Sequence, residues 1–237
     1  MNVRWLVSPF LVGALAVSIP DYADAQLREV RGPKSIVGVN FTLARPVGEF
    51  QNFVDLGGGL GVYGVVNFDE GRHVGLRFDG SWVLYGHESF VAPLSNTIRR
   101  VGVDVDTDNF IVHLGTGPQF TFGSGPVRPY VYGTVGFSYF ATVSSVSGTA
   151  SFGDFASSTN FDDLTFATTG GGGLLLRLSN GEHPVSLDLS AQTTYNGEAE
   201  YLRRGGIVEN RNGSITLLPI RSQANLVSFR IGVALGI

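Results

Sequence analysis

Four histidines, His73, His87, His113 and His183, and the residues around them set what chemistry this 237-residue chain could support. His87-Glu88-Ser89 places a base and a hydroxyl two residues apart, and on an extended strand such positions share a face. A histidine so placed activates a serine only where the fold brings the two within hydrogen-bond reach. The four histidines show no metal-ligand spacing. Cysteine is absent, so the chain has no thiolate centre, disulfide framework or lipoprotein attachment. Gly170 to Gly173 falls inside an alternating segment rather than between a strand and a helix, so it is not a phosphate loop. No catalytic residue, metal ligand or cofactor is therefore expected.

A second kind of chemistry is electrostatic. Asp55, Arg77, Asp79, His113, Arg177, Asp188 and Arg230 share one face of the alternating segments with Asn40, Gln119, Ser186, Ser190 and Gln192. Three arginines balance three aspartates there. In a closed, narrow interior such charges must pair or be hydrogen-bonded. The first expectation is a polar network that fills a barrel lumen in place of a hydrophobic core. The sharper alternative is a gated polar path for small solutes.

The elements that would hold these residues are strands. The chain has 33 glycines and 17 phenylalanines, and Val, Thr and Tyr recur throughout. Eight segments of period two are expected at about 36–44, 54–68, 74–85, 110–122, 129–142, 164–178, 184–195 and 226–237. Pro118 would break a ladder bond inside the fourth, so a bulge or an earlier strand end is expected there. From the second connection on, the connections alternate. Asp69-Glu70-Gly71-Arg72, Gly123 to Pro126 and Asn180-Gly181 are tight, whereas 86–109, 144–163 and 196–225 are long. The first, Pro46 to Phe53 with its Pro46-Val47-Gly48 turn, is an unusually brief loop on the long-loop side. Short turns at one end and long loops at the other are the pattern of a transmembrane barrel.

The face opposite the charges, from Val37 to Ile237, carries no Asp, Glu, Lys, Arg or His. A soluble barrel would place its apolar residues inward. An outer wall cleared of charge suits lipid, where an ion at mid-bilayer costs about 2–4 kcal/mol. Phe41, Phe68, Trp82, Tyr85, Phe110, Phe122, Tyr139 and Tyr195 lie near strand ends, as interface girdles require. With 16 basic and 20 acidic residues and no basic patch, nucleic-acid binding has no electrostatic support.

The termini agree with a membrane barrel. Arg4 precedes an apolar run to Ile19, and Ala23-Asp24-Ala25 is an A-x-A cleavage site. Residues 1–25 are thus expected to be a cleaved signal peptide, 26–35 a periplasmic lead-in, and 36–237 one barrel domain. The last strand, Arg230-Ile231-Gly232-Val233-Ala234-Leu235-Gly236-Ile237, resembles the C-terminal signal read by the outer-membrane assembly machinery. Arg230 fills its polar slot and Gly232 its glycine, while Leu235 and Ile237 stand in its two aromatic slots.

With these features the chain resembles the small outer-membrane β-barrel families, including the transmembrane domain of outer membrane protein A and the porin-family barrels. The resemblance implies an all-β, eight-stranded antiparallel up-and-down transmembrane β-barrel. It implies a monomer in the outer membrane of a two-membrane bacterium, reached by Sec-type export. Outer-membrane lipid, lipopolysaccharide and the barrel assembly machinery are the partners it implies. It also implies a structural or surface-interaction role for the loops 86–109, 144–163 and 196–223, with a narrow solute channel as the alternative. Some barrels of this kind act on lipid A through a His and a Ser on the lipid side. Phe90-Val91-Ala92-Pro93, after Ser89, lacks the Asn and Gly that follow that serine in lipid A deacylases, so no enzyme is expected.

Overall fold

The computed structural model describes residues 32–93, 102–148, 154–209 and 215–237. The signal peptide and residues 26–31 of the lead-in lie outside these. Eight long strands close the barrel: β1 (Ser35–Val47), β2 (Gly57–Asn67), β3 (Val74–Pro93), β4 (Gly102–Thr121), β5 (Val127–Gly148), β6 (Asp154–Arg177), β7 (Val185–Asn196) and β12 (Asn225–Gly236). Between β7 and β12 lie β8 (Glu198–Tyr201), β9 (Ile207–Glu209), β10 (Ile215–Leu217) and β11 (Ile220–Gln223), which form two small ribbons, β8 with β11 and β9 with β10. A 3-10 turn, Phe50–Asn52, sits in the β1–β2 connection. No helix among the described residues is long and apolar enough to cross a membrane.

Each long strand pairs antiparallel with its neighbours, and β12 closes on β1 from Ile36↔Gly236 to Val47↔Asn225. Closure leaves no strand edge within the ring, which is what a hydrocarbon environment demands of a sheet. The period-two pattern sets the faces. Along β1 the residues alternate buried and exposed from Ile36 to Pro46. From Val37 to Leu43 the exposed members are apolar, and around the ring Val39, Phe41, Leu114, Leu164, Phe229 and Ile231 all stand more than half open on the outer wall. An apolar sleeve around a closed barrel far exceeds the patch a water-soluble monomer normally exposes. The architecture is a transmembrane β-barrel.

The strands are longer than their hydrophobic stretches. β3 and β4 run to Pro93 and from Gly102, and β5 and β6 run to Gly148 and from Asp154. Much of the expected loops 86–109 and 144–163 is therefore strand, a four-stranded sheet continuing past the barrel rim. The expected loop 196–223 carries the two small ribbons. Register shifts between Leu84 and Gly86, and between Thr142 and Val143, mark the level where the ring gives way to this projection. Bulges bend strands locally, which suits them to that boundary. At Pro118 neither the expected bulge nor an early strand end occurs. Pro118 pairs with Leu76 on β3, and its pairing to β5 simply lapses between Thr116↔Val135 and Gln119↔Tyr132 with the register unchanged.

Candidate functional site

The middle of the lumen is organised by one carboxylate. Asp79 on β3 accepts from Arg77 Nε at 3.0 Å and Nη2 at 2.7 Å, and Arg230 Nη1 on β12 reaches its two oxygens at 2.9 and 3.0 Å. Arg77 and Asp79 are alternate residues on one strand, so both point inward, and barrel closure brings Arg230 across. The Arg77 guanidinium lies between two rings, 3.9 Å from the centroid of Tyr63 and 4.2 Å from that of Tyr132. Its Nη1 donates to Gln119 Oε1 at 2.9 Å. Arg77 has no exposed surface at all. Desolvated stacking of this kind contributes about 2 kcal/mol, and the single Asp79 carboxylate serves both guanidiniums, so both depend on it.

The second acid, Asp188 on β7, makes no ion pair among the described residues. It accepts from the Tyr130 hydroxyl at 2.6 Å, while Tyr132 donates to Gln192 at 2.5 Å. Nearer the outer mouth, His113 Nδ1 contacts Ser138 Oγ at 3.1 Å, and Thr169 Oγ1 contacts Thr194 Oγ1 at 3.0 Å. Asn40 accepts from Thr42 Oγ1 at 3.0 Å.

Both mouths are closed. At the outer end Phe50, from the short β1–β2 connection, meets Tyr201 of β8 at 5.0 Å, Tyr85 at 5.7 Å and Phe140 at 6.4 Å between ring centroids. Ala44, Val54, Val83, Ile111 and Leu226 complete this apolar plug. At the inner end Arg128 donates to the carbonyls of Arg72 at 2.9 Å and Gly123 at 3.3 Å. The space beside it, lined by Pro33, Pro126, Arg177, Pro184 and Ser186, measures about 20 Å³, room for about one water molecule.

The sequence-derived polar set thus divides. Arg77, Asp79 and Arg230 come together, with Gln119 beside them. His113, Asp188 and Gln192 line the same lumen through hydrogen bonds to hydroxyl groups. Two members are elsewhere. Asp55 is exposed and precedes β2, because the connection before Gly57 is irregular and Val54 turns into the outer plug. Arg177 ends β6 at the inner mouth, away from Asp79, and Ser186 lines that mouth with it. Tyr85, expected in an interface girdle, points inward onto Phe50 and donates to the Leu202 carbonyl at 3.2 Å. Phe41, Phe68, Phe122 and Tyr195 stand exposed on the outer wall, and Trp82 packs on Phe110 at 6.0 Å. Sequence reasoning does not pick out Tyr63, Tyr130 and Tyr132 as lumen residues. Their signal is an alternate, inward register, which strand propensity masks.

On the last strand, Leu235 and Ile237 face outward and Arg230 faces the lumen. A Cβ at Gly232 would collide with the Val39 carbonyl, so glycine is required for β12 to close on β1. His87 and Ser89 lie outside the ring, on the projecting part of β3. His87 Nδ1 meets Asp108 Oδ1 at 2.7 Å, directly across the β3–β4 pair, and both side chains are about half exposed.

A closed apolar-sleeved ring with a filled lumen defines a small transmembrane β-barrel protein. Several solved structures are similar to it. The attachment invasion locus protein of Yersinia pestis is 14% identical, with 87% of this chain and 99% of that one covered and a TM-score of 0.44. Neisserial surface protein A is 14% identical over 86% and 97%, with a TM-score of 0.49. A major outer membrane protein from Thermus thermophilus is 12% identical over 84% and 98%, with a TM-score of 0.45. No family model matches the chain, and no curated protein sequence matches it. Likeness at this level carries no residue role from those proteins to this one.

Proposed function

We propose that this chain is an outer-membrane protein of a two-membrane bacterium, acting at the cell surface through the sheet that projects from its barrel. The observation that carries this reading is the contrast between lumen and rim. The interior is occupied at three successive levels, by the Phe50 plug, the Asp79 network and the Arg128 constriction. Strands β3 to β6 meanwhile continue outward as paired sheet. Binding residues concentrate on segments displayed by a rigid scaffold, and here the scaffold extends into the display itself. The filled lumen favours this reading over a narrow solute channel. Lipid and lipopolysaccharide would contact the sleeve, the assembly machinery would read β12 through Leu235 and Ile237, and the barrel would work as a monomer.

The test pairs conductance with surface binding. The refolded chain in planar bilayers is expected to pass no steady current. Shortening the β3–β4 and β5–β6 hairpins to tight turns is expected to abolish attachment of expressing cells to a protein-coated surface while the barrel keeps its heat-sensitive gel mobility. Steady single-channel conductance from the parent chain would overturn the reading, as would attachment unchanged by the shortening.

A further inference from the structure

The projecting sheet has free edges. β2 pairs with β3 only as far as Gly58↔Leu84, so among the described residues no strand pairs with residues 85–93 of β3 on that side. Among the described residues, no backbone hydrogen bond outside the strand ladders involves residues 85–93. An unpaired edge in water presents a row of amide and carbonyl groups that another extended chain can satisfy. On the far side of the sheet β6 is partly occupied: Gly197 donates to the Phe166 carbonyl at 2.9 Å, and the Glu200 amide donates to Asp163 Oδ2 at 2.7 Å. The β3 edge is the more open of the two.

At the foot of the β3 edge, where β2 departs, is a groove of about 490 Å³. Phe53, Leu56 and Leu84 supply its apolar wall, and Gly58 leaves its floor open, since a Cβ there would meet nothing within 4 Å. Phe53 and Leu56 are exposed although they stand beyond the ladder of the ring. The outer face beside the edge is acidic. Asp108, Asp106 and Asp104 of β4 lie opposite His87, Ser89 and Val91 of β3. Asp55 and Arg204 both line the groove, and Glu88, on the edge strand itself, holds Arg204 at 3.7 Å, which leaves the aspartate row as the acidic feature.

We propose that residues 85–91 of β3 and the groove below them take an extended, basic peptide segment of another protein by strand addition. The main chain of that segment completes the β3 edge, one apolar side chain enters the Phe53–Leu56–Leu84 groove, and lysine or arginine side chains on the outward face lie beside the Asp104–Asp106–Asp108 row. Leu84 and His87 oppose Phe110 and Asp108, so the groove and the aspartate row share one face; the anchor and the basic residues therefore take alternate positions of the added strand, apolar at its foot and basic beyond. The inference rests on the surface-interaction reading and names the partner class for it.

The probe is a labelled Lys–Val peptide of about ten residues, with Val at the first outward-facing position, Lys at the later ones and Thr between them, long enough to span the edge. It is added to the refolded full chain in lipid nanodiscs, and binding is followed by anisotropy. Binding is expected, together with slowed amide exchange at residues 86–91. A Glu–Val peptide is expected to bind at least about tenfold more weakly, as is a Lys–Val peptide with proline at alternate positions. Gly58→Trp fills the groove from an open position and is expected to weaken the Lys–Val peptide by about tenfold or more, the value of one buried aliphatic anchor. The variant's heat-sensitive gel mobility checks that its barrel is intact. Equal binding of all three peptides would overturn the proposal, as would protection confined to residues 154–166 of β6. Equal binding of the Lys–Val peptide to nanodiscs without the protein would also overturn it, by assigning the peptide to lipid. Absence of peptide binding, with surface attachment still lost on shortening the hairpins, would remove strand addition and leave the surface reading standing.

Discussion

Asp79→Ala is the sharpest probe of what holds the lumen together. The substitution removes the shared counter-ion of Arg77 and Arg230, whose guanidiniums are almost completely inaccessible. Breaking one buried pair by removing a partner costs about 3–5 kcal/mol. Two cations are stranded here, but the losses do not simply double. Arg77 keeps its Gln119 hydrogen bond and its place between Tyr63 and Tyr132. The single-pair figure is therefore the expectation, about a hundredfold or more in the unfolding equilibrium. Against the 5–15 kcal/mol that a domain typically has, roughly a third of the total would go. The assay is urea unfolding from lipid vesicles, followed by gel mobility and by Trp82, the single tryptophan after residue 5. The companion variant Asp79→Leu with Arg77→Met and Arg230→Met removes all three charges and is expected to recover most of the loss, because a buried ionic cluster is replaceable by apolar groups of similar volume. An Asp79→Ala midpoint equal to that of the parent, or a triple variant as unstable as the single one, would refute the account of the network as buried cations held by one shared counter-ion.

Phe50→Ala empties the outer plug and should cost roughly 3 kcal/mol, yet planar-bilayer recordings should show no conductance, because Tyr63, Arg77 and Tyr132 fill the next level. Gly232→Ala drives a Cβ into the Val39 carbonyl and should destabilise closure by about 1–3 kcal/mol, whereas Gly64→Ala, which meets nothing within 4 Å, should leave the urea midpoint unchanged or higher. In the β2–β3 turn, the Val74 amide at 2.7 Å and the His73 amide at 2.8 Å hold the Asp69 carboxyl below its usual value. A depressed folded value means the turn is stabilised above the ordinary carboxylate range, near about pH 4, and that this is lost as pH falls through the lower folded value. Protection of the His73 and Val74 amides relative to their intrinsic exchange rates should therefore fall on acidification in the parent and show no such step in Asp69→Ala.

The ring was legible because lipid enforces the code that makes it so. Wherever a strand crosses hydrocarbon, one face must be apolar, and Val37, Val39 and Phe41, like Phe229, Ile231 and Val233, spell that face out. Beyond the rim the enforcement stops while the backbone pairing continues. Asp104, Asp106 and Asp108 keep the same period as Phe110 and Val112 on β4, with charges in place of apolar groups, so a reading by hydropathy ends the strand where only the solvent has changed. The same rule explains Asp55. It fits the polar phase of β2 by parity, yet the chain before Gly57 has left the ladder to carry Phe50 and Val54 into the plug, and parity has no meaning off a strand.

The lumen was legible in its charges and not in its partners. Arg77 and Asp79 announce themselves by sitting two apart inside a charge-free pattern, and Arg230 by breaking the apolar run of the last strand. Which acid serves which base depends on how strands on opposite sides of the ring are staggered, and that is a property of closure rather than of any one segment. Arg230 therefore finds Asp79, 151 residues away, rather than Asp188, two places along the register of its own neighbour β7. The tyrosines that enclose Arg77 were hidden for a related reason: a hydroxylated ring is equally at home in a girdle or against a buried cation, and only the far wall decides between them. A side chain whose partner lies across the lumen is the case in which sequence spacing carries least information, and this site is built from such side chains.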